Sequence, residues 1–237
     1  MLSVRGIDVD AAFGCCGLTR TDAAEDTLKA MWELQGDGVP LGTTRLAEFL
    51  GVTPPTTSAM IKRFVDHGIV ERGDGRGLSL TEHGAAHARR IVRRHRLLET
   101  FLSEVLTVPW DEVYGEAELL EHAVSESLLD RIDAFLGHPQ LDPHGDPIPH
   151  GEEVTAESTD QSILDAAIGS PFRVERLHNR NPEALRYLAE LGLRPGVTVE
   201  VDERAPFDGP LWIRLDGERV PLGEPLARLV HGRSVTQ

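Results

Sequence analysis

The stretch TTRLAEFLGVTPPTTSAMIKRFVDHGIVERGDGRGLSLT, residues 43–81, decides the N-terminal fold. Leu46, Ala47, Phe49 and Leu50 form the apolar side of a short helix, and Gly51 ends it as a C-cap residue would. The turn Val52 to Pro54 leads into a second helix, with Pro55 suited to its first turn and Met60, Ile61, Phe64 and Val65 spaced to pack inward. Two helices joined by a tight turn make a helix-turn-helix, whose second member presents its N-terminal residues to base edges in the major groove. Thr53, Pro55, Thr56 and Ala59 are the candidates for that contact. The β-prone runs Ile69 to Arg72 and Leu78 to Thr81, around the turn-forming GDGRG, predict a wing. Arg72 and Arg76 near its tip are placed to reach phosphate or the minor groove.

Upstream, Ala24, Leu28, Met31, Trp32 and Leu34 fall largely on one helical face between Ala23 and Gln35, with Thr21 and Asp22 as caps. The leading residues 1–20, MLSVRGIDVDAAFGCCGLTR, lack an apolar stretch followed by a cleavage site. They read as a flexible lead-in to a cytoplasmic protein. Cys15 and Cys16, the only cysteines, are adjacent and cannot build a framework of cross-links. With no His or third Cys nearby in sequence, reduced thiols are expected.

Downstream, a long helix from Glu82 to about Leu106 carries Arg89, Arg90, Arg93, Arg94 and Arg96, then turns apolar through LLETFLSEVL. In DEVYGEAELLEHAVSESLLDRIDAFLG, the residues Leu119, Leu120, Ala123, Val124, Leu128, Leu129, Ile132 and Phe135 exceed what one monomeric face needs. A helical homodimer interface follows. The Pro-, Gly- and acid-rich residues 138–165 mark a boundary. From Phe172, alternation in FRVERL, VTVEV, LWIRL and ERVPL predicts a small barrel interrupted by the helix PEALRYLAELG. The expected fold is mainly α with a C-terminal β domain: lead-in 1–20, winged helix-turn-helix 21–91, helical metal-binding and dimerisation domain 92–150, linker 151–165 and SH3-like barrel 166–237.

The 237 residues are 40% hydrophobic and 27% charged. No apolar run approaches the roughly 20 residues that span a bilayer, so no membrane role is expected. The net charge of −15 is unevenly distributed. Residues 54–96 hold nine Lys and Arg against four Asp and Glu, whereas residues 111–165 hold fifteen acids against the single Arg131. A basic N-terminal face suits phosphates and an acidic middle suits cations.

Glu118, Glu121 and His122 stand at i, i+3 and i+4, so on a helix their side chains emerge from one face. His95 and Glu99, four apart, form a second such pair, and Asp26 on the first helix offers a further carboxylate. An E-x-x-E-H pattern alone is most often solvated surface. Its coincidence with the other donors in so acidic a segment raises its weight, because a cation relieves the repulsion. Carboxylate and imidazole donors without thiolate or thioether suit Mn(II) or Fe(II) better than Cu(I). Mn(II) is the first expectation and Fe(II) the second.

RRHRLLETFL at 93–102, EAELLEHAVSESLLDRIDAFLG at 116–137 and DPHGDPIP at 142–149, in this order behind a winged helix, resemble the diphtheria-toxin-repressor family, nearest its manganese-responsive branch. The resemblance covers about residues 21–233 and implies a primary activating site at Asp26, Glu118, Glu121 and His122. Iron-responsive members place Met and Cys where this chain has Asp26 and Glu118. The resemblance implies an ancillary site at His95 and Glu99, but Tyr114 stands where the family has a second His, and Glu183 is the candidate to complete the set. The bacillus-type binuclear arrangement within that family needs a Glu where Lys29 stands, so the chain departs from that particular geometry. The prolines of DPHGDPIP and its place in the family favour a structural crossover, which leaves His144, Asp142 and Asp146 outside the expected ligand set. The C-terminal segment resembles the ferrous-transport-protein-A-type SH3-like domain.

The function expected is metal-dependent repression: a dimer binds palindromic double-stranded operator DNA when metal is bound. A metal-independent winged-helix regulator is the alternative. A di-metal enzyme is a weaker one, since the chain lacks paired E-x-x-H motifs on separate helices. No catalysis is expected.

Overall fold

The computed structural model describes residues 16–36, 38–73, 77–150, 161–177 and 181–235. They fall into two compact units, Met1–His95 with Glu121–Arg131 and Pro149–Val154, and Arg96–Leu120 with Ile132–Ile148 and Thr155–Gln237.

The first unit begins with α1 (Asp22–Gly36), α2 (Thr43–Leu50) and α3 (Pro54–Asp66), followed by β1 (Val70–Arg72) and β2 (Leu78–Leu80). Leu28, Met31, Leu46, Ile61, Phe64 and Ile69 form its core. Gly51 closes α2 at φ 65°, in the left-handed region that glycine adopts without strain, and its N–H reaches the carbonyls of Ala47 and Glu48. The hydroxyl of Thr53 caps α3 by accepting from the N–H of Thr56 at 3.4 Å. The two strands pair antiparallel with Val70 opposite Leu80, which is the expected wing. Thr81 accepts from Gly84 N–H at 3.0 Å and so caps α4 (Glu82–Glu104), the long helix whose chain runs on into the second unit.

Within residues 16–20, expected in the lead-in, two side chains are anchored. Leu18 is 3% exposed within the core and Arg20 holds Glu25 at 2.9 Å, so an apolar and a charged anchor fix the chain before α1. The helical stretch after Trp110 is divided in two. It forms α5 (Val113–Glu121) and α6 (Glu126–Phe135), so His122 is the first residue beyond α5.

The second unit contains an antiparallel six-stranded sheet in the order β3 (Gln161–Ser162), β8 (Val230–Ser234), β4 (Pro171–Leu177), β5 (Thr198–Arg204), β6 (Leu211–Leu215) and β7 (Glu218–Leu222). The helices α7 (Pro182–Glu190) and α8 (Glu224–Ala227) lie between strands in the chain. Alternation of apolar and polar residues buries Phe172 and Val174 from β4, Val199 and Val201 from β5 and Ile213 from β6, together with Leu185 and Leu188 of α7. Residues 161–165, expected in the linker, belong to this domain: β3 pairs with β8, and Ile163 is fully buried. The 142–148 segment approaches β4 so closely that a Cβ at Gly145, where φ is 87°, would stand 1.9 Å from the Glu175 carbonyl oxygen. The carbonyl of His144 accepts from Leu177 N–H at 2.9 Å.

Candidate metal centre

In the first unit, α1 directs Glu25, Asp26 and Lys29 toward the end of α5. Asp26 Oδ1 lies 3.2 Å from His122 Nε2, and Glu121 Oε1 lies 3.8 Å from the same nitrogen. Asp26, Glu121 and His122 offer ligand atoms within 4.8 Å of one another, as do Glu118, Glu121 and His122. Glu118 reaches the latter two because it stands one helical turn before Glu121 on α5.

Glu25, absent from the sequence-derived set, fixes the imidazole. It is 1% exposed, and its Oε2 lies 3.0 Å from His122 Nδ1, which leaves Nε2 facing Asp26. Arg94 approaches Glu25 at 3.2 Å and also donates to Glu126 at 2.8 Å and to the Glu121 carbonyl at 3.2 Å. Burial alone would raise the Glu25 carboxyl, but Arg94, His122 and Arg20 outweigh it and hold the group below its ordinary value. For His122, burial acts downward, while the bond to Glu25 and the charges of Glu121, Asp26 and Asp22 prevail and raise it. The signal available for Glu25 was its place beside Asp26, but glutamate on an amphipathic helix ordinarily faces water.

Lys29 occupies the other side of Glu121. Its Nζ donates to Glu121 Oε1 at 2.6 Å and stands 3.4 Å from His95 Nδ1, which in turn is 2.7 Å from Glu121 Oε2. Lys29 is 1% exposed and Glu121 is fully buried. Burial would raise the Glu121 carboxyl, yet His95 and Lys29 together depress it to about 2. Lys29 thus puts a fixed ammonium beside Glu121, where the bacillus-type arrangement raised by the resemblance would need a carboxylate.

His95 and Glu99, expected as one ligand pair, turn to different partners. His95 bonds Glu121, whereas in the second unit Glu99 gathers with Asp142 and His144, their ligand atoms within 4.8 Å. The segment set aside as a structural crossover therefore contributes a donor group. His144 donates from Nε2 to the Trp110 carbonyl at 2.7 Å, which turns Nδ1 toward Glu99 Oε1 at 3.5 Å. Asp142 Oδ1 accepts from the backbone N–H groups of His144 and Asp146, each at 2.9 Å. Burial pushes the Asp142 carboxyl well up, and Asp146 and Glu99 add to the rise. Glu183, expected to complete the set, is exposed in the first turn of α7.

Thr53, Pro55, Thr56 and Ala59 are all exposed at the start of α3, and Arg72 is exposed on β1. Arg76 lies outside the described residues. On α5 and α6, Leu119 (75% exposed), Leu120, Leu128 and Phe135 (71% exposed) present apolar side chains to the surface of the single chain. No helix among the described residues is long and apolar enough to cross a membrane.

Three family models match in order along the chain: the iron-dependent repressor N-terminal DNA-binding domain at 20–78, the iron-dependent repressor metal-binding and dimerisation domain at 81–150, and the FeoA domain at 162–234. The iron-dependent repressor IdeR of Mycobacterium tuberculosis is 31% identical over 222 residues, covering 88% of this chain and 96% of that protein. The chain belongs to the diphtheria-toxin-repressor family. It is a metal-dependent transcriptional repressor with a DNA-binding and a dimerisation domain. The IdeR of Mycobacterium leprae is 37% identical to this repressor over 223 residues, again covering 88% and 96%. A manganese-dependent transcriptional repressor in complex with manganese superposes with a TM-score of 0.81 at 40% identity, covering 90% of this repressor and 100% of that chain. The family accounts for the exposed apolar residues of α5 and α6, which lie within the dimerisation domain.

Proposed function

We propose that this repressor is activated by Mn(II), with Fe(II) as the alternative activator, and that it controls metal homeostasis by closing palindromic operators. The observation that carries this reading is the convergence of Asp26, Glu121 and His122, joined through α5 by Glu118, into a set of three carboxylates and one imidazole. Such donors fit a hard or borderline divalent ion, and no thiolate or thioether among them favours a soft one. A bound ion supplies two positive charges to a place where carboxylates otherwise face one another.

The residues divide the work. Asp26 contributes from α1, Glu121 and His122 from the end of α5, and Glu25 holds the His122 ring through Nδ1. Without metal, a protonated His122 is the cation available to Asp26, so proton and metal compete for one position. Linking α1 to the end of α5 favours the dimer geometry in which two α3 helices meet successive major grooves. Thr53, Pro55, Thr56 and Ala59 then face the bases, and Arg72 faces phosphate or the minor groove. Glu99, Asp142 and His144 form a second donor set of the same hard chemistry.

The test is binding to a palindromic operator recovered from genomic fragments, comparing Mn(II), anaerobic Fe(II), Zn(II) and chelator at fixed salt. Tight binding only with Mn(II) or Fe(II), lost in Asp26→Ala and His122→Ala, is expected. Equal binding with chelator would instead favour a metal-independent regulator.

A further inference from the structure

A second kind of donor set lies elsewhere in the first unit and takes no part in the carboxylate centre. Cys16 precedes α1, where His67 Nδ1 donates to its carbonyl at 2.9 Å and the nearby Leu18 is buried in the core. His83 and His87 stand four apart at the start of α4, so their rings share one face, with centroids 4.6 Å apart in an edge-to-face arrangement. Their Nε2 atoms are 3.2 Å apart, and Cys16 Sγ lies 4.0 Å from His87 Nε2. One ligand atom from each of the three residues lies within 4.8 Å of the others.

These separations can be compared with coordination geometry. A tetrahedral Zn(II) with ordinary Zn–S and Zn–N lengths sets its two nitrogens about 3.3 Å apart and its sulfur about 3.6 Å from each nitrogen. Both observed distances fall within a few tenths of an ångström of that frame, a shift that side-chain torsions absorb. The donor chemistry also differs in kind from the carboxylate centre. One thiolate and two imidazoles suit a borderline-soft ion and disfavour Mn(II), whereas three carboxylates and one imidazole hold no soft donor and accept Mn(II).

We propose that Cys16, His83 and His87 form a Zn(II) site in the DNA-binding unit, separate from the activating centre. The site fastens the segment before α1 to the start of α4, the two stretches of chain that flank the winged helix. Three protein ligands leave a fourth position for water. Zn(II) held here stabilises the winged-helix unit through ligands that take no part in the carboxylate centre. Loading the site releases the thiol proton and leaves no change in oxidation state.

The experiment uses the full-length chain carrying Asp26→Ala and His122→Ala, so that the carboxylate centre does not report, stripped of metal and kept reduced and anaerobic. Co(II) is titrated as a spectroscopic substitute for Zn(II). One equivalent should generate a sulfur-to-cobalt charge-transfer band with tetrahedral d–d absorption, and Zn(II) should abolish both. Cys16→Ser should remove the charge-transfer band and weaken Zn(II) binding at least tenfold, while Cys15→Ser should leave both unchanged. His83→Ala, at an exposed position, should weaken binding comparably and stands in for His87→Ala if that buried change impairs folding. Absence of the charge-transfer band, or its persistence in Cys16→Ser, overturns the proposal. Either result is independent of operator binding by the chain with Asp26 and His122 intact.

Discussion

Lys29 Nζ donates to Glu121 Oε1 at 2.6 Å, with both side chains withdrawn from water and His95 Nδ1 2.7 Å from the second carboxylate oxygen. A built-in ammonium therefore neutralises part of the centre before any metal arrives. Glu121 meets a metal with one flank already bonded, and His95 is drawn to the Lys29 side.

Replacing Lys29 by Met should show what that ammonium does. The buried Glu121 carboxylate loses a partner, and breaking a buried pair costs about 3–5 kcal/mol. Metal-free Lys29→Met should accordingly melt well below the parent chain. Mn(II) should then raise its melting temperature by more than it raises that of the parent, because the ion replaces the missing charge. An unchanged metal-free melting temperature would mean that Lys29 contributes nothing to the centre.

Glu25→Gln tests the support behind His122. The substitution keeps the shape but weakens the hold on Nδ1 and leaves the buried Arg94 with a neutral neighbour. Loss of an outer-shell partner of this kind typically lowers metal affinity about 10–100-fold. Mn(II) titration calorimetry should show that fall with stoichiometry unchanged. Parent-like affinity would place Glu25 outside the centre.

The raised His122 gives the pH dependence its sign. Its interactions with Glu25, Glu121 and Asp26 stabilise the metal-free fold fully below the imidazole's ordinary range and are lost as pH rises through the elevated value. Metal binding requires the neutral ring and so runs the other way. The gain in melting temperature on adding Mn(II) should grow from about pH 6 to about pH 8. A flat increment would show that His122 does not change protonation on binding.

His144→Ala should remove metal from the Glu99 group while leaving the Asp26 group loaded. Metal content by mass spectrometry after equilibration with excess Mn(II) should fall by one ion per chain. If parent and variant carry the same metal, Glu99, Asp142 and His144 are a hydrogen-bonded crossover without a bound ion.

Leu128→Glu introduces charge at a 48% exposed apolar position of α6. Sedimentation velocity should shift from dimer to monomer, and operator affinity should fall with it because two half-sites are no longer held together. A dimeric Leu128→Glu protein would place the subunit contact elsewhere.

Much of the protein is determined locally and could be read in the chain. The Gly51 cap, the paired runs of the wing and the alternation in β4 to β6 are set by residues a few positions apart. The shared face of Glu118 and Glu121 likewise follows from helix pitch. What tertiary structure decided concerns contacts across long stretches of sequence. Lys29 reaches Glu121 across 92 positions, and Cys16 reaches His87 across 71. The i, i+4 pair His95 and Glu99 looked convergent along α4, but Glu121 offers His95 a charged partner and the folded 142–146 turn offers Glu99 another group. Helical periodicity fixes the face from which a side chain leaves, whereas the partner it meets depends on which distant element packs there.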